Sequence, residues 1–231
     1  MDYILDGFYQ ALILLIGGDA ATYSAVRVTV IVSSISTAAS LILGAPLGFI
    51  LGYAAFPGKK VLRIIADTLL SFPTVVIGLV VYSLLSRRGP LGDLGLLFTL
   101  PGMALGLTLL GLPIIIAMTA TAVENLDRRL KLTLLTLGAD RTQLCLTTLW
   151  EARFSLMLAC VAAYGRIVSE IGISMMIGGN IKWHTRTITT AIALETGKGE
   201  FAMGVALGLV LMIIALLVNL AVVYFRRMAE R

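Results

Sequence analysis

Arg166 and Glu170 stand one helical turn apart in residues 154–181, a tract that is otherwise largely apolar. At that spacing two side chains meet on one face of a helix. An ionisable group within such a tract costs several kcal/mol unless it is paired or faces a wet cavity, so two chemistries are open. The pair can neutralise itself and fix helix packing, or Arg166, with Ser169 and Glu170 beside it, can line a path for an anion. If the pair is buried, losing one partner strands the other charge, so Glu170→Ala alone is expected to harm assembly more than Arg166→Ala and Glu170→Ala combined. Further along, Met175 and Met176 could form an apolar gate that closes by dewetting, or serve as ordinary core or lipid-facing side chains. Asn180, Lys182, His184, Thr185 and Arg186 then follow Gly178 and Gly179 as a polar cluster. That cluster is either a solvated loop or a patch able to attract a dianion or an acidic partner surface.

A second constellation occupies residues 124–153, the one long polar interruption in the chain. It reads as a helix, a Leu137-Gly138-Ala139 turn and a second amphipathic helix. Gly138 permits backbone conformations and close approaches that a side chain forbids. Asp140 can cap the helix that follows, and Arg141 puts charge on its exposed face. A short rigid helix displayed in this way can enter a groove on another protein, whereas an ordinary capped loop would do nothing further.

The elements that position both groups are membrane spans. Of 231 residues, 58% are hydrophobic and only 13% charged, far from the balance of a soluble domain. A spanning helix needs about 20 mostly apolar residues. Residues 28–58, 68–86, 94–123 and 201–225 meet or nearly meet this, and residues 154–181 span despite the charged pair. The chain therefore reads as one all-α integral membrane domain, residues 1–231, with five transmembrane helices. Residues 3–16 place Ile4, Leu5, Phe8, Leu12 and Leu15 on one face, which suits a helix lying in the interface better than a sixth span.

Basic residues near span ends stay on the cytoplasmic side. Lys59, Lys60, Arg63, the basic residues of 124–153 and those at the C-terminus fall on one side, and outnumber Arg27, Arg87, Arg88, Lys182, Arg186 and Lys198 on the other. The polar hairpin and the C-terminus are thus expected in the cytoplasm and the N-terminus outside. Gly44, Gly48 and Gly52, at intervals of four, present small residues for close helix packing. Pro46, Pro73, Pro101 and Pro113 are each expected to kink a helix or mark its start.

Several chemistries find no support in the residues. No Gly-x-x-x-x-Gly-Lys-Ser/Thr phosphate loop occurs, and the cytoplasmic segments are too short for an ATPase domain, so no nucleotide cofactor is expected in this chain. His184 is the sole histidine and no Cys/His cluster exists, which leaves no expected metal site. Cys145 and Cys160 lie where no oxidising compartment would join them. The N-terminus lacks a basic segment before its apolar run, so a removable signal peptide is not expected. An intramembrane serine hydrolase using Ser169 with His184 would need both on one pocket, and no nucleophile-bearing glycine motif surrounds Ser169. A secondary transporter or channel accommodates the buried charges but does not explain the polar hairpin.

From about Thr29 onward the chain resembles the membrane subunits of bacterial ABC importers for oxyanions, the molybdate, sulfate and tungstate type. The resemblance rests on Ser71-Phe72-Pro73-Thr74-Val75-Val76-Ile77-Gly78-Leu79, Gly89-Pro90-Leu91-Gly92, Thr136-Leu137-Gly138-Ala139, and Ser169-Glu170-Ile171-Gly172 leading to Gly178-Gly179-Asn180-Ile181. Leu149-Trp150-Glu151-Ala152-Arg153 and the run from Thr189 to Phe201 lean toward the tungstate branch. One departure matters: Leu132, Thr133 and Leu134 stand where importers of this kind commonly carry Glu-Ala-Ala, and Thr148, Trp150 and Glu151 replace Ile, Leu and Pro.

The resemblance implies a type I ABC importer permease fold and an alternating-access path for an oxyanion, tungstate ahead of molybdate or sulfate. It makes 124–153 a coupling loop in which Leu137, Gly138, Ala139, Asp140 and Arg141 meet the ATPase. The implied partners are a second copy, cytoplasmic ATPase subunits that bind ATP and Mg, an extracytoplasmic oxyanion-binding protein and lipid, with no nucleic acid. The expected location is the cytoplasmic membrane of a bacterium or archaeon.

Overall fold

The computed structural model describes residues 16–229 together with Tyr9 and Ile13, apart from the side chains of Arg128, Arg129, Lys131, Arg141, Arg226 and Ala229. Most of the expected interfacial helix over residues 3–16 lies outside the described residues. Ten α-helices follow: α1 Ala20–Tyr53, α2 Lys59–Leu70, α3 Thr74–Leu85, α4 Leu100–Glu124, α5 Arg128–Thr136, α6 Arg141–Glu151, α7 Arg153–Val168, α8 Gly172–Gly178, α9 Ile188–Lys198 and α10 Phe201–Ala229.

Among the described residues α1, α4 and α10 are long and apolar enough to cross a membrane, and the total reaches five if each of two bent helix pairs counts as one span. Two expected spans are built differently from a continuous helix. Residues 68–86 bend through 99° between α2 and α3. Pro73 supplies the reason, since it brings no N–H to a preceding turn and pushes Phe72 out of helical geometry. The second bent pair joins residues 142–151 of α6 to α7 at 57°, and residues 154–181 are divided further on, where Ser169, Glu170 and Ile171 separate α7 from α8. The first span also begins earlier than expected, at Ala20, because the Asp19 carboxylate accepts from the Thr22 N–H at 2.7 Å and caps the helix there.

At the centre, α4 packs along α1. A Cβ on Gly44 would lie 3.0 Å from Ile115 Cβ, one on Gly48 2.6 Å from the Ile116 carbonyl oxygen, and one on Gly52 2.7 Å from the Ala120 carbonyl oxygen. The glycine stripe is thus the contact face. Ser36 and Ser40 donate across the same seam to the Ala104 and Thr108 carbonyls at 3.2 and 3.0 Å, the kind of polar glue that apolar surroundings favour. Pro101 sits at the start of α4 and Pro73 caps α3, while Pro46 and Pro113 lie inside helices that run through them.

A core of Val32, Val81, Met103, Leu107, Ile167, Ile173 and Ile177 joins α1, α3, α4, α7 and α8. It fixes the break between α7 and α8 against the rest of the bundle. α9, which the sequence reading left without a helix, is held by Thr187 and Thr190 in a reciprocal cap and buries Ile188, Thr189, Thr190 and Ala191. The Thr29 hydroxyl accepts from the Ile188 N–H at 2.8 Å and ties α9 to α1.

Candidate coupling and translocation site

The polar hairpin has the predicted form. Gly138 adopts φ +79, and the Ala139 and Gly138 N–H groups donate to the Leu134 and Leu135 carbonyls at 3.0 and 3.1 Å. This is the paired closure that ends a helix on a left-handed residue, and it demands glycine or a close substitute. Asp140 then caps α6 by accepting from the Gln143 N–H at 2.7 Å while Gln143 accepts from the Asp140 N–H at 2.9 Å. Leu137 at the tip is 77% exposed, Trp150 is 67% exposed, and Leu132, Leu135, Leu146 and Leu149 are exposed beside them. The hairpin thus displays an apolar surface among its polar residues.

At the junction of α6 and α7, Arg153 gathers several contacts. Arg153 lies 4.7 Å from the Trp150 ring centroid and 4.4 Å from that of Phe154, and donates to the Trp150 carbonyl at 2.6 Å. On the opposite flank, Glu124 at the end of α4 pairs with Lys59 at 3.2 Å and Arg63 at 3.7 Å, and Arg63 also pairs with Asp67 and donates to Thr121. A cavity of about 600 Å³ opens between this network and the hairpin, lined in part by Lys59, Glu124, Leu135 and Thr148. The sequence marks Lys59 and Arg63 only as cations of the expected cytoplasmic side, not as members of a network. Lys59, Arg63 and Asp67 at intervals of four on α2 were the available signal, but Glu124 is brought to them only by the tertiary fold.

Arg166 and Glu170 do meet, at 2.9 Å, although the helix ends between them. Their environments differ. The Glu170 side chain is 4% exposed and its second oxygen accepts from the Ile173 N–H at 3.3 Å, capping α8, whereas the Arg166 side chain is 43% exposed. The buried member is the carboxylate, which revises the expected ranking of variants. Arg166→Ala strands a buried charge and is expected to cost about 3 kcal/mol, read as a lowered melting temperature of the purified permease. Arg166→Ala with Glu170→Gln should recover most of that loss, because glutamine keeps the cap without the charge. Glu170→Ala leaves an exposed guanidinium and a lost cap, so combining it with Arg166→Ala should bring little relief.

Ser169 is exposed and its hydroxyl donates to the Arg166 carbonyl at 3.0 Å, while His184 lies exposed in the loop between α8 and α9. Met175 is exposed and Met176 half-buried on α8. In that loop Asn180 and Trp183 take φ +52 and +72. Thr185 is buried and bridges the Gly178 carbonyl and the Ile181 N–H, and Asn180 donates to the Thr190 carbonyl. Lys182 and His184 remain exposed, but Arg186 turns inward to pair with Glu195 at 3.5 Å, and Lys198 joins the same carboxylate at 3.1 Å. The five residues of the expected outer cluster are therefore divided between the surface and the scaffold of α9.

The profile of the family described as "Binding-protein-dependent transport system inner membrane component" matches residues 44–231. The chain belongs to that family. It is 49% identical over 219 residues to the tungstate uptake system permease protein TupB of Campylobacter jejuni, covering 95% of this chain and 92% of the relative. It is 38% identical over 224 residues to TupB of Peptoclostridium acidaminophilum, covering 97% and 98%. Its fold superposes on the MetNI methionine ABC transporter in an inward-facing form with a TM-score of 0.71 at 20% identity, over 90% of this chain and 95% of that one. The permease is thus a multi-pass membrane protein of the type I ABC importer fold, and its role is transport.

Proposed function

We propose that this permease is the membrane subunit of an ATP-driven tungstate importer working by alternating access. The observation that carries the reading is the 49% identity to a tungstate uptake permease across 95% of the chain. Two copies about a two-fold seam would enclose the path, since one copy with up to five spans is small for the task. Each copy then presents its Gly138 turn to a cytoplasmic ATPase subunit, which binds ATP and Mg, while an extracytoplasmic binding protein delivers the anion. The membrane is the cytoplasmic one of a bacterium or archaeon.

The test is uptake by the permease reconstituted with its ATPase and binding protein. Tungstate uptake that depends on ATP and on the loaded binding protein is expected. Uptake confined to molybdate or sulfate would overturn the choice of anion, and uptake without an ATPase would overturn the importer class.

Lys182 is exposed beside the Trp183 ring, 4.9 Å away, and is the outer cation best placed to meet an acidic surface on the binding protein. Lys182→Glu is expected to weaken stimulation of ATPase activity severalfold at low salt. The difference should disappear near 1 M salt, where charges are screened within about 3 Å. Arg186→Glu is less informative, because it would set two carboxylates together at Glu195.

A further inference from the structure

We propose that Arg166 is a transit contact for the oxyanion and that Glu170 is its positioning residue, an inference that rests on the tungstate-importer reading above. Three observations carry it. The first is depth. Arg166 lies thirteen residues along α7 from Arg153, about 20 Å at 1.5 Å per residue, and with Arg153 at the cytoplasmic end, as the importer reading sets it, that falls well inside a hydrocarbon layer about 30 Å thick.

The second is the asymmetry of the pair. A guanidinium 43% exposed at that depth cannot rest against lipid without a cost of several kcal/mol, so the surface it opens onto is wet or lined by protein. Its partner faces the other way. The Glu170 carboxylate is buried, held by Arg166 through one nitrogen and by the Ile173 N–H, and the Glu170 carbonyl accepts from Thr189 at 2.9 Å. Among the described residues no second acceptor is bonded to the Arg166 guanidinium, so most of its five donors remain free for a tetrahedral dianion.

The third is the backbone. The pair sits where α7 stops and α8 begins, and Ser169 is exposed on the same face. Broken helices near the middle of the bilayer are where transporters place substrate contacts, because irregular backbone is tolerated at that depth only against protein or a water-filled cavity. The fixed carboxylate also explains why the site would not trap its cargo. A lone cation in low dielectric would hold a dianion too tightly, whereas Arg166 already carries a counter-ion through one nitrogen, so its hold on the dianion is moderated while Glu170 stays paired. Transit needs binding that is favourable on entry and weak on exit.

The experiment uses the full importer, permease with ATPase and binding protein, in proteoliposomes. Arg166→Gln with Glu170→Gln removes both charges and keeps the α8 cap. It is expected to assemble at wild-type yield and to retain ATPase stimulation by the loaded binding protein, while tungstate uptake falls at least 50-fold. Arg166→Lys keeps the charge but loses the planar fork, and should transport about tenfold less. Wild-type uptake by the double variant would show a merely structural pair and overturn the proposal. If Arg166 variants fail to assemble, Ser169→Cys with Cys145→Ser and Cys160→Ser gives a second reading. A charged methanethiosulfonate reagent should modify it, and tungstate with binding protein and ATP should slow that modification at least threefold. An unreactive thiol, or one indifferent to tungstate, overturns the proposal. A wild-type importer that moves no oxyanion at all removes the tungstate reading instead, and this inference with it.

Discussion

Gly138→Asp is expected to release the ATPase while leaving the permease itself folded in the membrane. The position is open on the permease side, since a Cβ there meets nothing within 4 Å. Its φ of +79 does ask for a left-handed residue, but aspartate is among the side chains that tolerate this best, at roughly 1 kcal/mol. The Schellman-type hydrogen bonds from Ala139 and Gly138 involve only backbone and survive. What changes is the contact surface. The new carboxylate would stand next to Leu137 at the tip of an apolar face, and closing a partner over an unpaired charge costs about 3 kcal/mol, roughly a hundredfold in affinity. Co-purification of the ATPase and tungstate uptake should both fall at least tenfold, with monodisperse permease in detergent. Gly138→Asn provides the control, having nearly the same shape and the same tolerance of φ but no charge, and should keep most of the complex. Normal assembly and uptake in Gly138→Asp would remove this turn from the ATPase interface.

The ease of reading that hairpin from sequence, compared with the rest, has a physical basis. Its determinants are local: a glycine where the backbone turns left-handed, and Asp140 three residues before Gln143. The long spans were legible for a similar reason, because α1, α4 and α10 declare themselves by apolar length alone. Hydropathy measures transfer into lipid and carries no direction, so the angle of 99° was invisible to it, although Pro73 did mark the place as a kink or helix start. The Arg166–Glu170 contact was legible from its spacing, but which member is buried depends on the Ile173 N–H and Gly172 of α8 closing on the carboxylate, with Thr189 holding the Glu170 backbone carbonyl. Sequence alone leaves Arg186 looking like a free cation, because its partner Glu195 lies nine residues on and is reached only once α9 folds back. The Lys59–Glu124 pair lies beyond any local pattern.

Gly48→Leu should have the largest effect on the fold itself, preventing α1 from seating on α4. Even a methyl group has no room, since the Cβ would fall 2.6 Å from the Ile116 carbonyl oxygen and 2.7 Å from Thr119 Cβ. A backbone carbonyl cannot rotate aside as a side chain can, so the helices must separate. That separation would lengthen the Ser36–Ala104 and Ser40–Thr108 hydrogen bonds along the same seam. In lipid the loss is not offset by hydrophobic association, because close packing and such bonds are what hold spanning helices together. Gly48→Ala is expected to cost about 1–3 kcal/mol, the usual range for an overpacked core, and Gly48→Leu to abolish recovery of folded permease. Yield by size-exclusion and the melting temperature of the permease alone report both, without any ATPase present. Gly208→Ala on α10 is the matched control, because a Cβ there meets nothing within 4 Å, and it should behave as wild type. A Gly48→Leu permease of normal yield and stability would mean that α1 and α4 do not approach at this distance, and the frame that sets Glu124 and the polar hairpin would have to be redrawn.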